Sequence, residues 1–73
     1  MTDEMKQRVL ERYRFYIDQV DKGVYKDEER KINNDPVTWI LLKIIKDPKM
    51  YDIHWDDIVD EVVLIIMGEI DDE

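Results

Sequence analysis

The stretch DPVTWILLKIIK, from Asp35 to Lys46, decides the fold of this chain. Asp35 followed by Pro36 is a typical helix start, because an aspartate side chain caps the first turn and proline suits the first helical position. The residues that follow are apolar nearly all round the helix axis. A helix of this kind is buried in the middle of a bundle or against another molecule. We therefore predict a central helix over residues 36–46.

The residues before this stretch predict a second amphipathic helix over residues 3–22. Thr2 occupies an N-cap position, and Gly23 follows the last turn, where glycine commonly ends a helix. The apolar residues of the segment recur at intervals of three and four, as on one helical face: Met5, Val9, Tyr13, Tyr16 and Val20. Three opposite-charge pairs four residues apart, Glu4/Arg8, Arg14/Asp18 and Asp18/Lys22, are typical of an exposed helical face. Residues 24–34 are polar and predict a connection that holds at most a short linker helix.

The residues after the central stretch predict a helix over residues 55–70, followed by an acidic tail at 71–73. Ile58, Val62 and Ile66 keep the spacing of one helical face, whereas the β-branched content of residues 62–70 leaves a strand as an open alternative. The sequence thus predicts a single all-α domain over residues 1–73. It is a bundle of three helices, or of four if the linker forms one.

The composition excludes several classes of function. Among 73 residues there is no cysteine, and the printed sequence contains no serine, so disulfide scaffolds, cysteine-rich zinc modules, thiol enzymes and serine nucleophiles are excluded. Only two glycines are present, too few for a phosphate-binding glycine loop. Acid/base catalysis by two carboxylates needs an apolar pocket that raises the pKa of one of them. The sequence shows no sign of such a pocket around any pair of acids. We expect no enzyme, no cofactor and no catalytic residue.

The single histidine, His54, stands near Asp56, Asp57 and Asp60, which are suitable types of metal ligand. The spacing matches neither an EF-hand loop nor the paired motif of di-iron bundles. We therefore predict no metal site, and we expect His54 to cap the last helix or to pack beside Trp55. The longest apolar runs have four and six residues, whereas a bilayer span needs about 20. The first ten residues have no apolar stretch typical of a secretory signal, and we expect a cytoplasmic protein.

The net charge of −8 belongs to the last third of the chain. Residues 50–73 contain nine acids and no lysine or arginine, while residues 1–49 contain ten acids and eleven bases. On a helical wheel, four acids fall opposite the apolar face of the last helix, with one leucine among them: Asp56, Asp57, Asp60, Glu61 and Leu64. Like charges four residues apart slightly destabilise a helix, so local stability does not explain the pattern.

This pattern has two interpretations. An acidic helix face is often only a solvated surface that keeps a small protein in solution. Alternatively, the face docks onto a basic surface of a nucleic-acid-processing protein and inhibits or modulates it, as a simple docking protein or as a nucleic-acid mimic of the type that phages encode. The candidate partner-binding residues are Asp56, Asp57, Asp60, Glu61, Leu64, Glu69, Asp71 and Asp72. We expect no direct binding of nucleic acid, because the basic residues of the chain are interleaved with acids, and no binding to membranes.

A self-associating regulatory module is the alternative function. Three short helices offer more apolar surface than they can bury among themselves, and a second copy of the chain would cover the excess. The candidate residues for such a homodimer are Phe15, Trp39, Leu42 and Ile65. Packing within the monomer is the favoured interpretation for most aromatic residues, namely Tyr13, Tyr16, Trp39 and Trp55. Phe15 lies off the apolar stripe of its helix and is the best N-terminal candidate for an external contact.

Overall fold

A computed structural model of the chain describes residues 1–71 and contains four α-helices in that range. They are α1 (Asp3–Asp21), α2 (Glu29–Asn34), α3 (Pro36–Ile45) and α4 (Trp55–Asp71), with short 3₁₀ turns at Lys26–Glu28 and Pro48–Met50. The all-α prediction is confirmed, and the linker does form the short fourth helix, α2. The helices end within one residue of the predicted bounds, so Asp71 lies in α4 instead of in a tail.

The ends of α1 follow from its sequence. The Thr2 hydroxyl accepts a hydrogen bond of 3.2 Å from the backbone N–H of Met5, and acidic residues occupy the first turn, where the helix dipole favours them. At the other end, Gly23 adopts a φ of 79°, in the left-handed region that glycine enters without steric cost. The N–H of Val24 then donates to the carbonyl of Gln19, which closes the helix.

Helix α3 occupies the centre of the fold, as its apolar sequence predicts. The Asp35 carboxylate accepts a hydrogen bond of 3.1 Å from the N–H of Thr38, so it caps the helix. Ile40 and Ile44 are completely buried, and α3 packs against α1, α2 and α4. The interpretation of this helix as the middle of a bundle is confirmed.

Residues 62–70 are helical, which settles the choice between helix and strand. They lie within α4, and no strand occurs anywhere in residues 1–71. Val62 and Ile66, four residues apart, are both fully buried. Since one face of this helix meets the core, tertiary packing outweighs the β-branched preference of these side chains.

One core joins the helices, and it includes Met50 and Ile53 of the connection that precedes α4. Its buried members are Val9, Tyr13, Tyr16, Trp39, Ile40, Ile44, Met50, Ile53, Val62 and Ile66. The packing interpretation of Tyr13, Tyr16 and Trp39 is confirmed, and Trp55 is half-buried against the same cluster. Among the described residues, no helix is both long and apolar enough to cross a membrane.

The two glycines should respond in opposite ways to replacement by alanine. Gly68 lies inside α4, and a methyl group there would meet no atom within 4 Å, so Gly68→Ala should raise the free energy of unfolding by about 0.5–1 kcal/mol. Gly23→Ala should lower it, because φ is positive and the new Cβ would lie 3.0 Å from the Lys26 side chain. Urea denaturation of both variants measures the two effects. A stabilised Gly23→Ala variant would contradict the assigned helix end.

Candidate functional site

Two arginines of α1, Arg8 and Arg12, bind the connection between α3 and α4. Arg8 donates two hydrogen bonds to Asp52, of 2.8 and 2.9 Å, and a third of 2.8 Å to the carbonyl of Lys49. The predicted local pair of Arg8 with Glu4 is therefore wrong, since the guanidinium makes a bidentate pair with a distant carboxylate instead. Of the three predicted pairs only Asp18/Lys22 forms, at 2.8 Å.

Asp47 is the buried charged residue among residues 1–71, with only 3% of its surface exposed. Its carboxylate accepts hydrogen bonds from the Arg12 guanidinium, from the Tyr16 hydroxyl at 2.7 Å and from the N–H of Lys49 at 2.8 Å. A buried carboxylate is tolerated only with such partners. Arg12 and Tyr16 therefore bind the start of the α3–α4 connection to the middle of α1, while the N–H of Lys49 is a local contact within the connection.

The ionised form of Asp47 is favoured on balance. Burial by itself would raise the pKa of this carboxyl, but the hydrogen bonds from Tyr16, Lys49 and Arg12 together bring it below its ordinary value. The hydrogen bonds from Arg8 likewise lower the pKa of Asp52. Both carboxylates therefore stabilise the folded chain at neutral pH.

Glu28 also holds a connecting segment against a helix. It accepts a hydrogen bond of 3.2 Å from the indole N–H of Trp39 and lies 3.3 Å from the ammonium of Lys43. The hydrogen bond from Trp39, with the ion pair to Lys43, lowers the pKa of Glu28. This carboxylate therefore joins the linker before α2 to the surface of α3.

The acidic face of α4, which we define as Asp56, Asp57, Asp60, Glu61 and Leu64, is exposed as the helical wheel predicts. Within residues 1–71, Asp56, Asp57 and Asp60 have no ion-pair or hydrogen-bond partner for their carboxylates. Glu61 lies 3.0 Å from the amino group of Met1. Most of this negative charge therefore has no counter-charge in the monomer.

Leu64 extends the acidic face toward the end of α4, and 68% of its surface is exposed. Met67, one turn further on, is exposed beside it. A shallow depression of about 320 Å³ between α1 and α4 adjoins them, lined by Lys6, Leu64, Ile65, Gly68 and Glu69. The acidic face therefore carries an apolar contact point next to its carboxylates.

The remaining predicted partner-binding residues differ in their positions. Glu69 is half-buried at this depression, and Asp71 is exposed at the end of α4. Asp72 lies outside the described residues. The structure thus brings Leu64 and Glu69 together, while Asp56 and Asp57 lie about two turns or more away at the start of the helix.

The four residues predicted for self-association do not form one surface. Trp39 is 7% exposed and belongs to the core, because its indole packs edge to face on Tyr25. Phe15 is exposed, but the Arg12 guanidinium stacks 4.3 Å from its ring centre. Ile65 is half-buried. Leu42 and Phe15 have similar exposed apolar surfaces, at 47% and 43%, and they lie on different helices, α3 and α1.

A lysine-lined groove between α2 and α3 was not predicted as a site. It has a volume of about 220 Å³, and its lining consists of Glu28, Lys31, Trp39, Leu42, Lys43 and Lys46. The α3 side of the groove could have been predicted from the sequence, since Lys43 and Lys46 fall on the polar side of that helix. Lys31 comes from the linker, whose course the sequence does not reveal. Met67 was missed as well, although its place three residues after Leu64 puts it on the same side of α4.

His54 is exposed, and its backbone carbonyl accepts a 3.3 Å hydrogen bond from the N–H of Asp57 at the start of α4. Its side chain makes no hydrogen bond in the described part of the chain. No group of three or more histidine, aspartate or glutamate side chains within residues 1–71 could hold a metal ion.

Comparison of the chain with protein-family models, with curated proteins and with solved structures found no match. Any role for the acidic face or the lysine-lined groove must therefore be inferred from the geometry and chemistry of these surfaces.

Replacing Asp47 by asparagine should lower the free energy of unfolding by about 2–4 kcal/mol at pH 7, because the Arg12 guanidinium would lose its buried counter-charge. The pKa of Asp47 is lower in the folded chain than its ordinary value of 3.8, so its stabilisation is complete above that pH. It is lost as the pH falls through the folded pKa, and the difference between the two proteins should narrow in acid. Urea denaturation at pH 7 and at pH 3 measures both effects.

The matched control for this prediction is Glu11→Gln. Glu11 is an exposed carboxylate on α1 with no ion pair in the described part of the chain. Its replacement should leave the free energy of unfolding within about 0.5 kcal/mol of the parent value. Equal effects of the two substitutions would show that Asp47 does not anchor the connection.

Proposed function

We propose that this chain is a small acidic, non-enzymatic binding protein that docks onto a basic surface of a nucleic-acid-processing protein and inhibits or modulates it. The observation that carries the proposal is the exposure of Asp56, Asp57 and Asp60 around Leu64, without a counter-charge in the described part of the chain. An arginine- or lysine-rich surface would supply the missing counter-charge.

The cost of placing these carboxylates together supports a role in binding. Asp56 and Asp57 lie in the first turn of α4, where the helix dipole favours negative charge. Asp60 and Glu61 follow four residues later on the same side and gain no such benefit, so each adds like-charge repulsion. Docking to cations would relieve this repulsion, and the field of the face would steer a basic partner during encounter.

Leu64 gives the same surface a centre for short-range contact. Interfaces typically combine a desolvated apolar residue with a surrounding polar rim. Leu64 is exposed one turn from Asp60 and two turns from Asp57, so carboxylates flank it on one side. A partner with an apolar depression beside basic side chains would satisfy both parts of this surface.

Mimicry of nucleic acid is the finer form of the proposal. A surface that binds phosphates through lysine and arginine also attracts a row of carboxylates. Successive turns of α4 present them at intervals of about 5.4 Å along the helix axis. A mimic would compete with nucleic acid for its partner, whereas a simple docking protein would bind elsewhere and leave the nucleic acid in place.

The test is release of partner proteins from immobilised DNA. Proteins from a lysate of the source cells are bound to duplex-DNA cellulose, which is then washed with the purified protein, and released proteins are identified by mass spectrometry. The parent chain should release a specific protein, and the double variant Asp57→Lys/Asp60→Lys should release at least tenfold less. Capture of a DNA-binding protein on the immobilised chain, without its release from DNA, would indicate docking without mimicry.

The matched control is Glu11→Lys/Asp21→Lys, which changes the net charge by the same amount. Both residues are exposed on α1 and have no ion pair among the described residues. If release depends on the acidic face, this control should behave like the parent chain. Equal loss with both double variants would show that overall charge alone is responsible, and the proposal would be wrong.

Truncation of Leu64 tests the apolar part of the surface separately. Because the side chain is 68% exposed, Leu64→Ala should change the free energy of unfolding by less than about 0.5 kcal/mol. If Leu64 is a contact point, the variant should bind the released partner about tenfold more weakly, as loss of an interface side chain worth about 1–2 kcal/mol implies. Titration calorimetry measures the change, and unaltered affinity would exclude Leu64 from the interface.

Self-association is a second candidate function, and the exposure of Leu42 on α3 favours it. Leu42 is 47% exposed on a helix that is mostly apolar. A second copy of the chain could cover this surface.

A further inference from the structure

The groove between α2 and α3 has the opposite character to the acidic face of α4. Three of its lining residues are lysines, Lys31, Lys43 and Lys46, and one is an acid, Glu28. Its floor is apolar, formed by Trp39 and the half-exposed Leu42. The groove therefore combines an apolar floor with a basic rim.

Two of the three lysines make no ion pair in the described part of the chain, although the charge of Lys31 helps to lower the pKa of Glu28 from a longer distance. Lys43 is engaged, since its ammonium lies 3.3 Å from Glu28 and 4.8 Å from the ring centre of Tyr25. Lys31 and Lys46 are exposed and have no ion-pair partner in residues 1–71. The rim is therefore ready to bind negative charge.

Beyond Leu42 the groove continues into a second depression of about 310 Å³. Lys31, Trp39 and Leu42 line both depressions, and the second adds Asn34, Asp35 and Thr38. Asp35 is engaged as the cap of α3. The combined groove thus follows the exposed side of α3 from Asp35 to Lys46, about three turns, long enough to receive one face of another helix.

We infer that this groove receives the acidic face of α4 from a second copy of the chain. The acidic face has an exposed leucine flanked by unpaired carboxylates, and the groove has an exposed leucine flanked by unpaired lysines. The two surfaces share no residue, and no ion pair joins them within one molecule. Charge complementarity therefore selects a second copy as the occupant.

Helix geometry gives this contact a register. Lys46 lies one turn after Leu42 on α3, and Asp60 lies one turn before Leu64 on α4, a distance of about 6 Å along each axis. If the two helices run antiparallel, Leu64 packs on Leu42 while Asp60 lies level with Lys46. Asp57 then lies one further turn along, at the open end of the groove.

The contact joins different surfaces of the two copies, so each molecule presents one groove and one acidic face. Such association gives a two-fold dimer where two copies form both groove-to-face contacts at once, and otherwise closes into a larger ring or continues as a chain. The net charge of −8 opposes it at long range, but salt screens that repulsion beyond about 8 Å at physiological ionic strength. We therefore expect weak association that increases with concentration.

Self-association of this kind would regulate the proposed function, and this consequence rests on that function. The acidic face cannot bind a basic partner while it occupies the groove of another copy. Assembly would then store the protein in an inactive form, and a partner would release monomers by binding the same face.

A charge-swap experiment tests the contact. The variants Asp60→Lys and Lys46→Glu each place like charges together, so each alone should stay monomeric at a concentration where the parent chain sediments as a larger species. An equimolar mixture restores opposite charges at every contact and should recover the parent sedimentation. Arg30→Glu, an exposed change on α2 outside the groove lining, is the matched control and should assemble like the parent chain.

The inference is wrong if the parent chain remains monomeric at millimolar concentration, if either single variant assembles like the parent, or if the mixture stays monomeric. Circular dichroism establishes that each variant is folded. If Lys46→Glu unfolds the chain, Lys31→Glu replaces it, because Lys31 borders the same groove from α2, and it too should abolish assembly.

The release assay on DNA cellulose separates this inference from the proposed function. Lys46→Glu keeps the acidic face intact, so it should release the partner at least as well as the parent chain. If this variant releases the partner and the parent chain is monomeric, the groove contact is wrong and the proposed function stands. If the parent chain assembles but releases no DNA-bound protein, the proposed function is wrong and the groove contact stands.

Discussion

The buried carboxylate of Asp47 is the interaction on which the arrangement of the helices depends. It lies at the end of α3 and is held by Arg12 and Tyr16 of α1. Since an ionised group is costly to bury without partners, the connection after α3 must approach α1 at this one level. This position determines where α4 begins, and hence which of its faces meets the core.

This ion pair and two others explain the uneven distribution of charge on the surface. Arg8 and Arg12 are bound to Asp52 and Asp47, and Lys43 is bound to Glu28. These cations hold connecting segments in place and are unavailable to the carboxylates of α4. The negative surplus at the end of the chain therefore appears as an exposed surface rather than as a set of internal ion pairs.

The sequence was sufficient for the helices and for the acidic face, because both depend on local spacing. Caps at Thr2 and Asp35 and the four-residue spacing of Val62 and Ile66 are readable without tertiary contacts. The sequence could not predict that Arg8 pairs with Asp52 instead of Glu4, because this pair depends on where a distant turn lies in space. The lysine-lined groove was missed for the same reason, because Lys31 reaches it only through the folded course of the linker.

Helix α4 keeps the residues that pack in the core apart from the residues of the acidic face within a single element. Val62 and Ile66 face the core, whereas Asp57, Asp60 and Leu64 face outward, and the two sets share no position. Substitutions on the outer face can therefore accumulate without disturbing the packing of the bundle. A chain built in this way can change its outer surface over evolutionary time, and with it the specificity of the proposed docking, while its scaffold stays the same.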